Sequence, residues 1–129
     1  EDFSPIVKNK GLSAVNKIKE IIKIVLKDYC KQKNMLLMLF DVMIKIRMQK
    51  RKILPDLDER TQQLITIFKE ILEEGIKQGE IKEIDSNGMS FLLFSFIRAY
   101  IVQTTISDDI SINRATESFF VLIDGLLVK

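Results

Sequence analysis

Apolar residues that recur at intervals of three and four over long stretches constrain the fold of this chain more than any other feature. The clearest stretch runs from Ser13 to about Lys33, and lysines fill its other face. Its apolar positions are Val15, Ile18, Ile22, Val25 and Tyr29. Only two prolines and five glycines occur among the 129 residues, so few positions break a helix. The sequence therefore predicts an all-α protein, a helical bundle of about five to six helices.

Two further helices are predicted, one before this stretch and one after it. Ser4 as N-cap and Pro5 in the first turn predict a short helix that is interrupted by Gly11. Residues 34–52 are apolar on nearly every side, but they are too short and too interrupted by charges to cross a bilayer. A helix of this kind is expected in the middle of the bundle.

Another helix is predicted after Pro55, which ends the preceding segment because proline pushes the residue before it out of the helical region. Asp56 and Glu59 have the spacing of a capping box and predict the start of this helix. Gly79 is its predicted C-cap. Gly75 lies inside the helix, which indicates close backbone packing or a bend at that position.

The last two helices carry more apolar side chains than one buried face requires. Asp85 or Ser86 is predicted to cap the first of them, which reaches about Ile106, and Ser111 caps the second. An apolar surface of this size is unfavourable when it is exposed to water. Pairing with the same two helices of a second chain, in a four-helix interface, would bury it.

The residue types exclude most catalytic and metal chemistry. Histidine is absent, which removes the commonest general base and metal ligand. Cys30 is the only cysteine, so an internal disulfide or a multi-cysteine zinc site is impossible, and Cys30 is predicted to be a small buried apolar residue. Glu70, Glu73 and Glu74 flank the apolar stripe and are interpreted as a solvated surface rather than metal ligands. We therefore expect a cytoplasmic protein that is not an enzyme and has no cofactor.

Positive and negative charges are distributed unevenly, although the net charge is only +2. Lysine and arginine dominate up to Lys52, and acidic residues dominate after Pro55. One interpretation is a basic flank that lies near DNA phosphates. The simpler one is two solvated faces that attract each other across the fold.

Two segments resemble the carboxy-terminal domain of TetR-family transcriptional regulators. In the first, at residues 75–80, a helix ends in a Gly-Ile-x-x-Gly-Glu turn, and Asp85 then opens a long apolar helix. In the second, about fifty residues later, the last helix ends in the Asp-Gly-Leu of residues 124–126. The likeness extends from about Ser13 to Lys129.

The resemblance implies a single TetR-like domain over residues 1–129 that forms a homodimer through its last two helices. Residues 1–11 would be the end of a linker helix from a helix-turn-helix domain preceding Glu1. DNA would then be contacted only through that absent domain, and no membrane partner is expected. A small-molecule pocket inside the remaining helices would couple ligand binding to the spacing of two DNA-reading heads.

The implied pocket would take an apolar or amphipathic effector, since such pockets are mostly apolar with few polar groups. Its candidate residues are Tyr29, Met38, Phe40, Met43, Phe68, Phe94, Arg98, Tyr100 and Gln103. The alternative for each of them is plain core packing. Arg98 has three open interpretations: an ion pair with Asp124 or Glu117, an anchor for an anionic effector, or simple exposure.

The expected dimer interface lies on the last two helices. Its candidate residues are Phe91, Ser95, Ala99, Val102, Phe119, Phe120, Ile123, Leu126 and Leu127. The sequence thus favours the ligand-sensing and dimerisation domain of a TetR-like repressor, in which small-molecule binding alters the DNA affinity of the absent heads. The alternative is a helical adaptor or an apolar-ligand-binding module without a DNA role.

Overall fold

The chain folds as a bundle of helices in a computed structural model that describes residues 3–31, 38, 41, 42, 44, 45, 48, 55–106 and 110–128. The side chains of Tyr29 and Cys30 and of a few residues near helix ends lie outside this description. The named helices are α1 (Ser4–Val7), α2 (Ala14–Lys31), α3 (Pro55–Lys77), α4 (Ser86–Ile106) and α5 (Ile112–Asp124). The described part of the chain is mostly helical, which confirms the all-α prediction.

Helix α2 occupies the centre of the described bundle. It packs against α1, α3, α4 and α5. Its buried residues recur at helical spacing, as predicted from the sequence, and lysines such as Lys23 and Lys27 lie exposed on its other side. The buried set is Ala14, Val15, Lys17, Ile18, Ile21, Ile22, Val25 and Leu26.

The prediction that residues 34–52 lie in the middle of the bundle is wrong for the residues that the structure describes in that segment. Met38 is 64% exposed and Met48 is 79% exposed, and Asp41 and Lys45 form an exposed ion pair of 2.9 Å. Helix α2 holds the central position instead, and its apolar face packs against four other helices. Apolar composition on all sides did not identify the central helix.

The first turns of α1 and α3 differ from their predicted starts. Phe3, not Ser4, stands at the N-cap position of α1, and Ser4 is its first helical residue. The amide of Lys8 donates to the carbonyl of Ser4 (2.9 Å) where α1 ends. Helix α3 begins at Pro55, one residue before the predicted capping box, and the side chain of Asp56 lies outside the described residues. Proline fits the first helical position because its missing N–H would have no partner there.

The end of α3 confirms the predicted C-cap. Gly79 has φ +80°, a conformation that glycine adopts without strain. The amide of Glu80 donates to the carbonyl of Gly75 (3.0 Å), and that of Gly79 donates to Ile76 (3.1 Å). These two bonds form a Schellman motif, which satisfies carbonyls that the helix end would otherwise leave unpaired.

Helices α4 and α5 begin where the sequence placed them. Asp85 caps α4, because its Oδ1 accepts a hydrogen bond from the amide of Gly88 (3.1 Å). Ser111 caps α5 in the same way, accepting from the amide of Arg114 (3.3 Å). Neither these two helices nor any other described one has the length and apolar character required to cross a membrane.

Candidate functional site

Helix α4 has two apolar sides, of which only one is buried within the chain. The inward side consists of Ser90, Leu93, Phe94, Ile97 and Ile101. The opposite side, which we call the outer face of α4, consists of Phe91, Leu92, Ser95, Phe96, Ala99 and Val102. Phe91 on this face is 55% exposed and Phe96 is 46% exposed. Exposed apolar side chains that cluster on one side of a helix are typical of a surface that binds a partner.

The side chains in the middle of the outer face are short, and the one hydroxyl among them is hydrogen-bonded within the helix. Ser95 and Ala99 are one helical turn apart, and both have short side chains. The hydroxyl of Ser95 donates to the carbonyl of Phe91 (2.8 Å), so it needs no water molecule or partner side chain. Short side chains at a contact allow two helix axes to approach closely.

Helix α5 touches α4 through one aromatic contact and has exposed apolar side chains of its own. The ring of Phe96 meets the ring of Phe119 edge-on, with centroids 5.7 Å apart and an interplanar angle of 81°. One turn after Phe119, Leu122 is exposed, and Val121 beside it is more exposed still. Helix α5 thus touches the outer face of α4 at Phe96, and it exposes further apolar side chains at Val121 and Leu122.

The structure divides the expected interface residues into three groups. Phe91, Ala99 and Val102 are exposed, as an interface requires, and Ser95, Phe120 and Leu127 are half-buried. Phe119, Ile123 and Leu126 are buried within the chain itself. Leu92, Phe96, Val121 and Leu122 are exposed apolar residues that were not among the expected interface residues. Because both sides of α4 and α5 are apolar, periodicity alone does not distinguish the inward residues from the outward ones.

The expected effector-binding residues are only partly brought together. Phe68 and Phe94 are buried in one core cluster, which α3 and α4 share with α2. Tyr100 is half-buried, and its hydroxyl donates to the carbonyl of Ile110 (3.2 Å). Met38 and Gln103 are exposed. Phe40, Met43 and the side chain of Tyr29 lie outside the described residues.

Arg98 lies at the surface beside the core. Its guanidinium carbon is 5.7 Å from the centre of the Phe94 ring, which is the geometry of a cation–π contact. Asp124, one of its two expected partners, forms an ion pair with Lys19 instead. Arg98 is thus exposed, and its guanidinium lies over the buried Phe94 ring.

Two lysines of α2 cross the fold to acids on other helices. Lys17 is buried, and its Nζ lies 3.8 Å from Oε1 of Glu74 on α3. Lys19 pairs with Asp124 on α5, and its Nζ lies 5.4 Å from the centre of the Phe120 ring. These contacts agree with the interpretation that basic and acidic faces attract each other across the fold.

The two glycine-bearing segments of the sequence meet at one corner of the bundle. Ile81 and Leu127 form an isolated antiparallel bridge. The amide of Lys82 donates to the carbonyl of Leu126 (2.8 Å), and the amide of Val128 donates to the carbonyl of Glu80 (2.9 Å). The turn after α3 is thus hydrogen-bonded to the residues that follow α5.

The side chain of Glu80 caps the start of α2 at this corner. Its Oε2 accepts from the amide of Ala14 (2.9 Å) and its Oε1 accepts from the amide of Val15 (3.1 Å). The hydroxyl of Ser13 accepts from the amide of Asn16 (3.2 Å), and the Ser13 carbonyl accepts from Lys17. The amides of Ala14, Val15 and Asn16, which a helix start leaves without intrahelical partners, are therefore all satisfied. A negative carboxylate also interacts favourably with the positive end of the helix dipole.

No signal in the sequence pointed to this role of Glu80. Glu80 and Ala14 are 66 positions apart. Capping patterns are recognised by local spacing, whereas this cap forms only once the fold is assembled. The sequence placed Glu80 in the glycine-bearing turn at residues 75–80, but it gave no indication that Glu80 binds the first turn of α2.

The clustered glutamates of α3 bind neighbouring side chains. Glu73 accepts from the hydroxyl of Ser86 (3.1 Å) and lies 3.9 Å from Lys69, and Glu74 is bonded to Gln78. Within the described ranges, no group of three or more histidine, cysteine, aspartate or glutamate residues is arranged to hold a metal ion.

Comparisons with protein-family models, with curated proteins and with solved structures found no match to this chain. Function is therefore inferred from the geometry above and from the two glycine-bearing segments.

Proposed function

We propose that this chain is the effector-binding and dimerisation domain of a TetR-like transcriptional regulator. In this proposal two copies pair through the outer face of α4 and the exposed part of α5. The observation that carries it is the outer face itself, where Phe91, Leu92, Phe96 and Val102 are exposed on one side of a helix whose other side is already buried. The motifs at residues 75–80 and 124–126 supply the likeness to the family.

A second copy of the chain is the proposed occupant of the outer face because the face is self-complementary in character. Bulky rings at Phe91 and Phe96 alternate with the short side chains of Ser95 and Ala99, so a symmetry-related helix can place its rings over the short residues. Two copies of α4 and two of α5 would form a four-helix interface with an apolar centre.

The effector site is proposed between the core that contains Phe68 and Phe94 and the surface at Arg98. An amphipathic acid would place its apolar part against the Phe94 ring and its carboxylate on the guanidinium. Binding would favour one arrangement of the bundle over another, and the dimer would convert that preference into a changed spacing of its DNA-reading heads. The DNA affinity changes only as far as the ligand prefers one arrangement.

The dimer is tested by the molar mass in solution. Light scattering coupled to size-exclusion chromatography is expected to give twice the chain mass of 15.0 kDa. Phe91→Glu introduces a charge into the outer face and is expected to yield folded monomers. The matched control is Gln63→Glu, which adds the same charge to an exposed position of α3 and should leave the dimer intact.

Two results would contradict this part of the proposal. The first is a wild-type mass of one chain at micromolar concentration. The second is a Phe91→Glu variant that remains as dimeric as the Gln63→Glu control.

The DNA-related part of the proposal is tested by the coding sequence upstream of the Glu1 codon. A helix-turn-helix pattern there supports the regulator. An upstream segment of a different kind, in a protein that is nevertheless dimeric, would favour the adaptor or apolar-ligand module instead.

A further inference from the structure

The corner around Glu80 joins three chain segments that are remote in sequence. They are the first turn of α2, the turn that ends α3, and residues 126–128 after α5. Glu80 takes part in all three, through its side chain to Ala14 and Val15, its amide to Gly75, and its carbonyl to Val128. Both carboxylate oxygens and both backbone groups of this one residue are engaged.

Close packing accompanies these hydrogen bonds. A Cβ atom built on Gly75 would lie 2.8 Å from Cβ of Ala14 and 2.5 Å from Cδ1 of Ile81. Ala14 and Ile81 are themselves buried. The backbone of α3 thus directly contacts both the start of α2 and the bridge to the end of the chain.

We propose that Glu80 is a positioning residue that makes these three segments open and close as one unit. In a closely packed interior, a segment cannot shift without breaking its contacts with the neighbouring segments. Loss of the Glu80 side-chain bonds should therefore release the bridge at residues 126–128 as well as the start of α2. A simple helix cap would release only the helix that it caps.

The use of this unit in signalling rests on the proposed function. Helix α1 and the linker after it lead directly into the first turn of α2, so a DNA-binding domain preceding Glu1 would be attached next to this corner. A displacement of α3 or α5 caused by an effector would reach that attachment through Glu80. Energetic coupling between sites requires such an element, which both sites influence.

Amide hydrogen exchange of the full chain, followed by NMR, tests the unit without ligand or DNA. In Glu80→Gln, which loses one acceptor oxygen and the charge, the amides of Ala14, Val15, Lys82 and Val128 are expected to exchange roughly five- to tenfold faster, the factor that corresponds to losing one helix cap. The amide of Ile21, inside α2, should be unchanged. Glu83→Gln, an exposed glutamate three residues further on, is the matched control and should alter none of the four amides.

A second variant approaches the corner from the other side. Val128→Pro removes the amide that donates to Glu80, whereas Val128→Ala keeps it. If the corner is one unit, Val128→Pro accelerates exchange at Ala14 and Val15, and Val128→Ala does not. This variant also serves if Glu80→Gln fails to fold.

Two outcomes would overturn the proposal. Acceleration confined to Ala14 and Val15 in Glu80→Gln, with no effect of Val128→Pro on them, would reduce Glu80 to a local cap. Equal acceleration of Ile21 would mean that the whole chain opens and that the corner is not a separate unit. A monomeric wild type would contradict the proposed function but leave the exchange results as they stand, so the two failures are distinguishable.

Discussion

Substitution of Gly75 by alanine has two opposing effects where the end of α3 packs against the start of α2. Alanine is preferred to glycine inside a helix by about 1 kcal/mol. The new Cβ, however, would lie 2.5 Å from Cδ1 of Ile81 and 2.8 Å from Cβ of Ala14, distances that real side chains do not adopt. Both neighbours are almost fully buried, so neither can move away freely. Overpacking of this kind costs about 1 to 3 kcal/mol, and two neighbours that cannot move away place this site in the upper part of that range, at about 2 to 3 kcal/mol.

We therefore expect Gly75→Ala to lower the free energy of unfolding by about 1 to 2 kcal/mol, the difference between the overpacking cost and the gain in helix preference. Urea denaturation followed by far-UV circular dichroism measures it. Gly11→Ala is the control, because its Cβ would meet only the flexible side chain of Asn9, 3.1 Å away, in an exposed loop. Its effect should stay within about 0.5 kcal/mol.

Removing the closest atom should relieve the strain. Ile81→Val deletes Cδ1, so the double variant with Gly75→Ala should be less destabilised than the sum of the two single variants, by about 0.5 to 1 kcal/mol. A Gly75→Ala protein as stable as the wild type, or more stable, would refute the close approach of α3 to Ala14 and Ile81.

Three further predictions concern α4, α5 and the core. Ile123→Asp should unfold the chain, losing about 3 kcal/mol or more, because Ile123 is buried within one subunit; a folded monomer seen by circular dichroism and light scattering would place Ile123 at the subunit interface. Ser111→Ala should lose about 1 kcal/mol in urea denaturation, since it removes the cap of α5, and an unchanged midpoint would show that the cap is not needed. Phe94→Ala and Arg98→Gln should each weaken binding of the anionic apolar dye anilinonaphthalene sulfonate, as measured by its fluorescence. If both variants bind the dye with the affinity of the wild type, these residues do not belong to the effector site.

Local patterns were sufficient to predict most helices from the sequence. The buried face of α2, the start of α4 at Asp85 and the cap at Ser111 depend on residues within a few positions of one another. Gly79 also ended α3 as predicted, because a left-handed residue at a helix end is a local requirement. These elements follow from periodicity and capping alone.

Features that depend on contacts between distant segments were not predictable in the same way. Helix α4 is apolar on both sides, so its pattern does not reveal that Phe94 faces inwards and Phe96 faces outwards. The same ambiguity led to Phe119 and Ile123 being expected in an interface, although the chain itself buries them. The cap of α2 by Glu80 depends on residues 66 positions apart, and no local signal encodes it.

The contact between two copies of α4 is the central claim, and isotope-filtered NOE spectroscopy on a mixture of labelled and unlabelled chains tests it most directly. This measurement detects only contacts between different molecules. The account predicts NOEs that link the rings of Phe91 and Phe96 in one copy to Ala99 and Val102 in the other. Intermolecular NOEs confined to other surfaces, or none at concentrations where the mass is that of a dimer, would contradict it.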